Sequence, residues 1–274
     1  MKNSGKICRL SIVCTFIPFL FAACAGPALK KQEGLHSLSD YALRTQTRVR
    51  QRLAESPESM AEESLAALNE VLNYADEVRT DPDRFNLSKI QEYREKINII
   101  NENMDRFRDM TLQTDISFSV GAYRLSEFSG AGRSQCAELA RKIIETAAAL
   151  KTRYPKHAIR ITLKTLGYTD ELPIVPGSLE KTIRTNLQEP EAPAGDARRK
   201  QYNRVLSRLR AAAVSGYIME YLHREMPAHT DIRYVEKIVG NGENFPLKNQ
   251  NPPYAAQDER RRICIISPYI EVML

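Results

Sequence analysis

A small set of polar and charged residues in the second half of the chain has the chemistry of a binding site. Asn203, Ser207 and Arg210 are spaced i, i+4 and i+7, so a helix would present an amide, a hydroxyl and a guanidinium on one face. Thr169 and Asp170 end the segment LGYTD, which follows a strand-like run. A carboxylate beside a guanidinium suits a zwitterionic ligand, with Arg210 holding its carboxylate and Asp170 its ammonium group. The alternative is a structural ion pair between Asp170 and Arg210.

Other site chemistries have little support in the sequence. His223, Glu225 and His229 lack the i, i+4 histidine pair of a helical zinc site, and there is no CxxC motif. The segment SGAGRS is too short for a phosphate-binding loop, and no serine lies in a G-x-S-x-G turn. We therefore expect no metal, no cofactor and no enzymatic activity.

The first 24 residues have the layout of a secretory signal. An apolar run at residues 10–23 follows three basic residues, which are Lys2, Lys6 and Arg9. The run contains Pro18 and is short for a bilayer span, which favours a cleaved signal over a retained anchor. Its end, FAAC, resembles the lipobox of bacterial lipoproteins, which implies cleavage after residue 23 and lipidation of Cys24. The alternative is an ordinary signal peptide with an incidental cysteine.

Removal of residues 1–23 changes the charge and the cysteine count. The whole chain has a net charge of +6 and the removed segment carries three positive and no negative charges, which leaves +3. So small and evenly mixed a charge does not predict nucleic-acid binding. Besides Cys24, Cys136 and Cys264 remain. An envelope compartment permits a disulfide between them, but two buried thiols are the preferred interpretation.

Residues 24–110 are predicted to be entirely helical. Apolar residues recur at helical spacing in three stripes, within residues 38–53, 61–75 and 90–107. Ser56 and Pro57 predict the start of the second helix, and TDPDRFN predicts its separation from the third. We expect an antiparallel three-helix bundle or a helical arm, with residues 30–110 folding separately from the rest.

From residue 115 onward the pattern alternates between strands and helices. DISFSV is strand-like, an apolar face from Cys136 to Tyr154 is helical, and AIRITLKTL is strand-like again. A long helix at about residues 197–225 precedes the strand-like segments DIRYVEKIVG and RRRICIISPYI. This β-α-β-α-β-β order predicts an α/β (α+β) sandwich with helices packed on one face of a sheet.

These elements resemble the OmpA-like C-terminal domain, the peptidoglycan-binding module of peptidoglycan-associated lipoproteins. The resemblance covers about residues 115–270 and rests on Phe118, Leu125, GYTD, NRVLSRLRAAAV, VGNGENFP and RRRICI. It implies that residues 111–274 form such a domain, and that Asp170 and Arg210 hold the zwitterionic end of diaminopimelate in a stem peptide. The remaining ligand-binding residues that it implies are Asn203, Thr169 and Ser207.

The chain departs from the family most clearly in a long insert at about residues 171–200. The insert contains four prolines and the segment QEPEAPAGD, and its five acidic residues balance five basic ones. This composition predicts a mobile loop that leaves the binding site from its own edge, where it could cover the pocket, refine its choice of ligand or abolish binding. Tyr168, Ser119 and Arg260 also replace the residues that are usual in the family.

The sequence thus predicts a lipid-anchored cell-envelope protein that binds peptidoglycan non-covalently and tethers membrane to wall. The outer membrane facing the periplasm is the expected location, because Ala25 is not the aspartate that retains lipoproteins at the inner membrane. The alternative is an OmpA-like scaffold that has lost wall binding and engages another envelope protein through residues 35–110 or the insert. A site open to solvent favours the first function, and a site filled by the insert favours the second.

Overall fold

The computed structural model describes residues 17–55, 60–107, 112–114, 118, 121–127, 129–226, 231–244 and 255–274. Within them the regular elements are α1 (Ile17–Glu55), α2 (Ala61–Thr80), α3 (Leu87–Arg106), β1 (Leu112–Thr114), α4 (Gly130–Arg153), β2 (Ala158–Gly167), α5 (Ser178–Thr185), α6 (Asp196–Glu225), β3 (Ile232–Gly240) and β4 (Cys264–Met273). Residues 1–16 of the predicted signal (1–23), and the side chains of residues 17–29 including Cys24, lie outside this description. No helix of the described part has the length and apolar character needed to cross a membrane.

The predicted order of elements is confirmed where it is described, with α5 as an addition. TDPDRFN does separate α2 from α3, and Asn86 caps α3 by accepting a hydrogen bond from the Lys89 backbone N–H at 3.2 Å. The predicted helix start at Ser56 lies outside the described residues, and α2 begins at Ala61. The predicted strand at residues 115–120 is described only at Phe118, whereas the described first strand is β1.

The three predicted helical stripes form one apolar core between α1, α2 and α3. Leu38, Leu68 and Ile97 are fully buried in it, one from each helix. Each helix turns its apolar stripe inward and its charged residues outward, as expected for helices that pack on one another in water. The three helices therefore form one packed unit, called the helical layer here.

The four strands form one mixed sheet in the order β1-β4-β2-β3. β2 pairs parallel with β3 and antiparallel with β4, and β4 also pairs antiparallel with the three residues of β1. The parallel β2–β3 pair is connected through α5 and α6, as a parallel connection requires. The chain therefore has a mixed α/β fold.

Helices cover both faces of the sheet, not one face as predicted from the sequence. Ile161 and Leu163 of β2 belong to the same apolar core as Ile218 of α6 and Ile143 of α4. Side chains alternate between the faces of a strand, so Thr162 points to the opposite side, where residues of α2 line a shared cavity with it. The α2 sequence shows an apolar stripe but not the surface on which that stripe packs. The sequence therefore did not predict that α2 covers the second face of the sheet.

Two glycines bring α6 directly onto the ends of two strands. Gly167 of β2 and Gly240 of β3 are partners in the sheet. A Cβ atom on Gly167 would lie 1.9 Å from the backbone oxygen of Ser207, and one on Gly240 would lie 2.3 Å from that of Arg204. The backbone of α6 therefore rests on the sheet with no side chain between them, which places residues 203–210 beside Asp170.

One buried amide of the helical layer hydrogen-bonds to the backbone of β4. β1 pairs with β4 only over residues 264–266. Further along β4, the buried amide of Asn103 in α3 donates to the Ile270 backbone oxygen at 2.7 Å and accepts from the Ile270 N–H at 2.9 Å. Asn103 thus satisfies the two backbone groups that a longer β1 would have paired.

We expect Asn103→Leu to destabilise the protein by about 1–3 kcal/mol, because it leaves a buried N–H and a buried carbonyl of Ile270 without partners. Chemical denaturation of the full chain measures this change. Gln91→Leu makes the same chemical change at an exposed position of α3 and serves as the control. Equal stability of the two variants would contradict a structural role for the Asn103 amide.

Candidate functional site

Asp170 is held at the point where three segments of the chain meet. It follows β2, and the preceding residues hydrogen-bond to both neighbouring segments. The Tyr168 N–H donates to the Ile263 oxygen at 2.9 Å, and the Thr169 N–H donates to the Gly242 oxygen at 2.8 Å. Tyr168 is itself buried against Ile263. The position of Asp170 is therefore fixed by backbone pairing on both sides.

The direct charged partner of Asp170 is Arg262, and not Arg210 as in the alternative of a structural ion pair. Asp170 Oδ2 accepts from Arg262 Nε at 2.8 Å, and Arg262 Nη2 lies 2.8 Å from the same oxygen. Each of the two residues is only 4% exposed. This is a buried ion pair in which two guanidinium nitrogens approach one carboxylate oxygen, and breaking it is costly.

Arg210 lies in the same site and is connected to Asp170 through Thr169. Its Nη1 donates to Thr169 Oγ1 at 3.1 Å, and that hydroxyl lies 3.3 Å from Asp170 Oδ1. Its Nε donates to the Ala122 oxygen at 2.8 Å, and its guanidinium lies over the Phe118 ring. Burial lowers the pKa of Arg210 to about 10, so the side chain still carries its charge at neutral pH.

Asn203 and Ser207 hold the surrounding loops onto α6. Both are fully buried. Asn203 Nδ2 donates to the oxygens of Asp170 and Leu172 and to Glu243 Oε1, whereas its Oδ1 is buried with no hydrogen-bond partner. Ser207 Oγ accepts from the Gly242 N–H at 2.8 Å. The predicted shared face of Asn203, Ser207 and Arg210 is confirmed, but Ser207 supports a loop and does not line the cavity described below.

Two further ion pairs lie near Asp170 and Arg262. Arg261 Nη1 lies 2.6 Å from Glu171 Oε1, and Arg199 pairs with Glu243. Arg261 also donates to the Glu243 backbone oxygen at 2.8 Å. Sequence reasoning identified none of these partners, because they come from four segments that only the folded sheet brings together.

The insert is not the loop that its composition predicted. It contains α5, and Ile183 of α5 is fully buried with Tyr202, Val205 and Leu206 of α6. Polar contacts add to this packing, including the hydrogen bond from Tyr202 to Glu191 at 2.6 Å. The insert therefore packs along α6 instead of leaving the site.

A cavity of about 260 Å³ lies between the insert and three buried charged residues, Asp170, Arg210 and Arg262, called the charged centre here. Its polar lining comes from Asp170, Asn203, Arg210 and Arg262. Its apolar lining comes mainly from the insert and α6, through Leu172, Ile174, Leu179 and Leu206. Such a cavity suits a charged group carried on an aliphatic chain. Thr169 does not line it and acts on the site through Arg210 and Asp170.

The described residues offer no competing site for metal or thiol chemistry. Among them, no group of three or more His, Cys, Asp or Glu side chains could hold a metal ion. Cys136 and Cys264 are both free and buried, and burial raises the pKa of each to about 12. These thiols are thus packed as small apolar residues. The preferred interpretation of the two cysteines is confirmed.

Comparison with known proteins gives no relatives for this arrangement. No protein-family model matches the chain, and no curated protein or solved structure is significantly similar to it.

Proposed function

We propose that this protein is a cell-envelope lipoprotein whose OmpA-like region, residues 111–274, binds a peptidoglycan stem peptide without cleaving it. Lipidation at Cys24 would hold the chain at a membrane, so that wall binding tethers the two layers. The proposal joins the sequence resemblance to one structural observation. That observation is the cavity lined by Asp170, Arg210 and Arg262, which offers both signs of charge to a ligand.

The chemistry of the cavity agrees with a zwitterionic ligand end. Two guanidinium groups can bind a carboxylate, and a carboxylate oxygen of Asp170 can accept from an ammonium group. Among the described residues, Asp170 Oδ1 has only the 3.3 Å contact from Thr169, whereas Oδ2 is engaged by Arg262. Oδ1 is therefore the atom that we assign to the ligand.

A second function is favoured by the burial of the site. Asp170 and Arg262 are already paired with one another, and the insert lies over them, which are the features expected of a scaffold that no longer binds the wall. Such a scaffold would engage another envelope protein through its helical layer or its insert. The two functions differ in one measurable property, which is affinity for the wall.

Co-sedimentation of the full chain with purified sacculi tests the proposal. We expect the wild type to sediment and Arg210→Lys to lose at least tenfold in affinity, because lysine keeps the charge but not the forked donors. Arg260→Ala removes an arginine whose side chain is exposed and pairs with Asp258, so it should sediment like the wild type. A wild type that never sediments would leave the scaffold as the better description. Mass spectrometry of the membrane-extracted protein, seeking an acylated N-terminal Cys24, tests the anchor.

A further inference from the structure

The segment at residues 173–177, called the strap here, forms the outer wall of the cavity. Val175 is 75% exposed, and the two strap prolines also face solvent. Within the described part of the chain, residues 173–176 make no hydrogen bond. The strap is fixed at its two ends, where Asn203 holds the Leu172 oxygen and where Ile183 of α5 is buried on α6.

The strap and the charged centre give the cavity two unlike walls. Asp170, Arg210 and Arg262 form the inner wall, and each is less than 5% exposed. Leu172, Ile174 and Leu179 of the insert lie opposite. A ligand must therefore place charged groups inward and aliphatic groups against the strap, since a buried charge facing apolar side chains would be costly.

The volume of the cavity limits how much of a ligand it can enclose. At about 260 Å³ it is smaller than the range of about 300–1,000 Å³ that is typical of pockets for drug-sized molecules. It can enclose one end of a larger molecule, whereas a stem peptide as a whole must remain outside.

We propose that the strap makes this an end pocket, which accepts a free charged end on a short aliphatic stem and rejects the same end once it is capped. This inference rests on the proposed function and specifies which form of the wall is bound. Acylation of the terminal amine removes the ammonium charge and adds bulk against the strap. Asp170 Oδ1 would then face a neutral amide, and a site built for a charged donor discriminates strongly against its loss.

The inference predicts recognition of stem peptides that are not cross-linked through that amine. A cross-link converts the free amine into an amide and continues into a second peptide, which the strap leaves no room to enclose. The protein would then bind wall regions in proportion to their free peptide ends rather than to their total mass.

Competition of sacculus co-sedimentation tests this selectivity on the full chain. The two competitors are free meso-diaminopimelate and its derivative acetylated on both amines, because a singly acetylated molecule would keep one free zwitterionic end. We expect the free form to compete at a concentration at least tenfold lower than the acetylated form. Equal competition by the two forms would overturn the end pocket while leaving wall binding intact, and a wild type that does not sediment would instead reject the proposed function and this inference together.

A strap variant and a control outside the cavity test whether the strap causes the selectivity. Ile174→Ala removes volume from a half-buried cavity residue, and the tenfold difference between the competitors should shrink. Leu87→Ala shortens an exposed aliphatic side chain that does not line the cavity and should retain the difference. If Ile174→Ala keeps the full selectivity of the wild type, the strap does not determine it.

Discussion

Asp170→Ala is expected to destabilise the protein by about 3–5 kcal/mol, the cost of removing one partner from a buried ion pair. The variant would leave the Arg262 guanidinium buried without a carboxylate partner, and it would remove the oxygen that the Thr169 hydroxyl contacts. Chemical denaturation of the full chain, followed by circular dichroism, measures the loss. A change small enough to match a surface substitution would show that Asp170 is less buried than the structure indicates.

Two further variants separate the ion pair from general effects of the substitution. Asp258→Ala removes an aspartate whose partner, Arg260, is exposed, so we expect little change in stability. The double variant Asp170→Leu with Arg262→Met replaces both charges by apolar groups and should recover much of the lost stability. The resulting double-mutant cycle gives the coupling energy of the pair directly.

The expected instability changes how ligand binding must be tested. A role in ligand binding alone would predict that substitution of Asp170 or Arg210 abolishes wall binding with a nearly unchanged melt. The contacts of Asp170 make that expectation untenable for alanine, because a variant with a loosened site loses binding for either reason. The competition between free and capped ligands avoids this ambiguity, because it uses the wild-type protein.

Gly167→Ala is expected to cost about 3 kcal/mol or more, at or above the upper end of the usual range for overpacking. The added methyl group would lie 1.9 Å from the Ser207 backbone oxygen, so either α6 or β2 must move. Movement of α6 would also displace Asn203 and Arg210 from the site. We therefore expect loss of wall binding together with the loss of stability.

Gly216→Ala is the matched control for this substitution. Gly216 lies within α6 on an open surface, where an added Cβ has no atom within 4 Å. Alanine is favoured over glycine inside a helix by about 0.5–1 kcal/mol, so this variant should be as stable as the wild type or more stable. A similar loss in both variants would mean that the close approach at Gly167 is not the cause.

The local parts of the site could be predicted from the sequence. Helical spacing alone placed Asn203, Ser207 and Arg210 on one face, and alternation placed Asp170 just after a strand. The choice of Arg262 over Arg210 as the partner of Asp170 could not be predicted in this way. It depends on the register of β4 beside β2, which pairs Gly167 with Cys264 and is a long-range property of the sheet.

The proline content of the insert predicted a loop, whereas its apolar spacing indicates the helix that the structure shows. Leu179, Ile183 and Leu187 are spaced i, i+4 and i+8, and all three pack toward α6. That spacing was a usable signal for a short amphipathic helix. What it could not supply was the surface that the helix meets, since Tyr202 and Leu206 belong to a different segment.

At Ile270 the Asn103 side chain takes the hydrogen-bonding place of a neighbouring strand. This arrangement has a consequence for aggregation. Exposed strand edges template pairing with other chains, and proteins usually cover or charge them. On the β3 side the edge strand carries Arg233, Glu236 and Lys237, whereas β4 near Ile270 is buried and apolar and is shielded by α3. A fragment lacking the helical layer would therefore present an uncovered, hydrophobic length of β4. The helical layer would therefore also keep residues 111–274 from self-association.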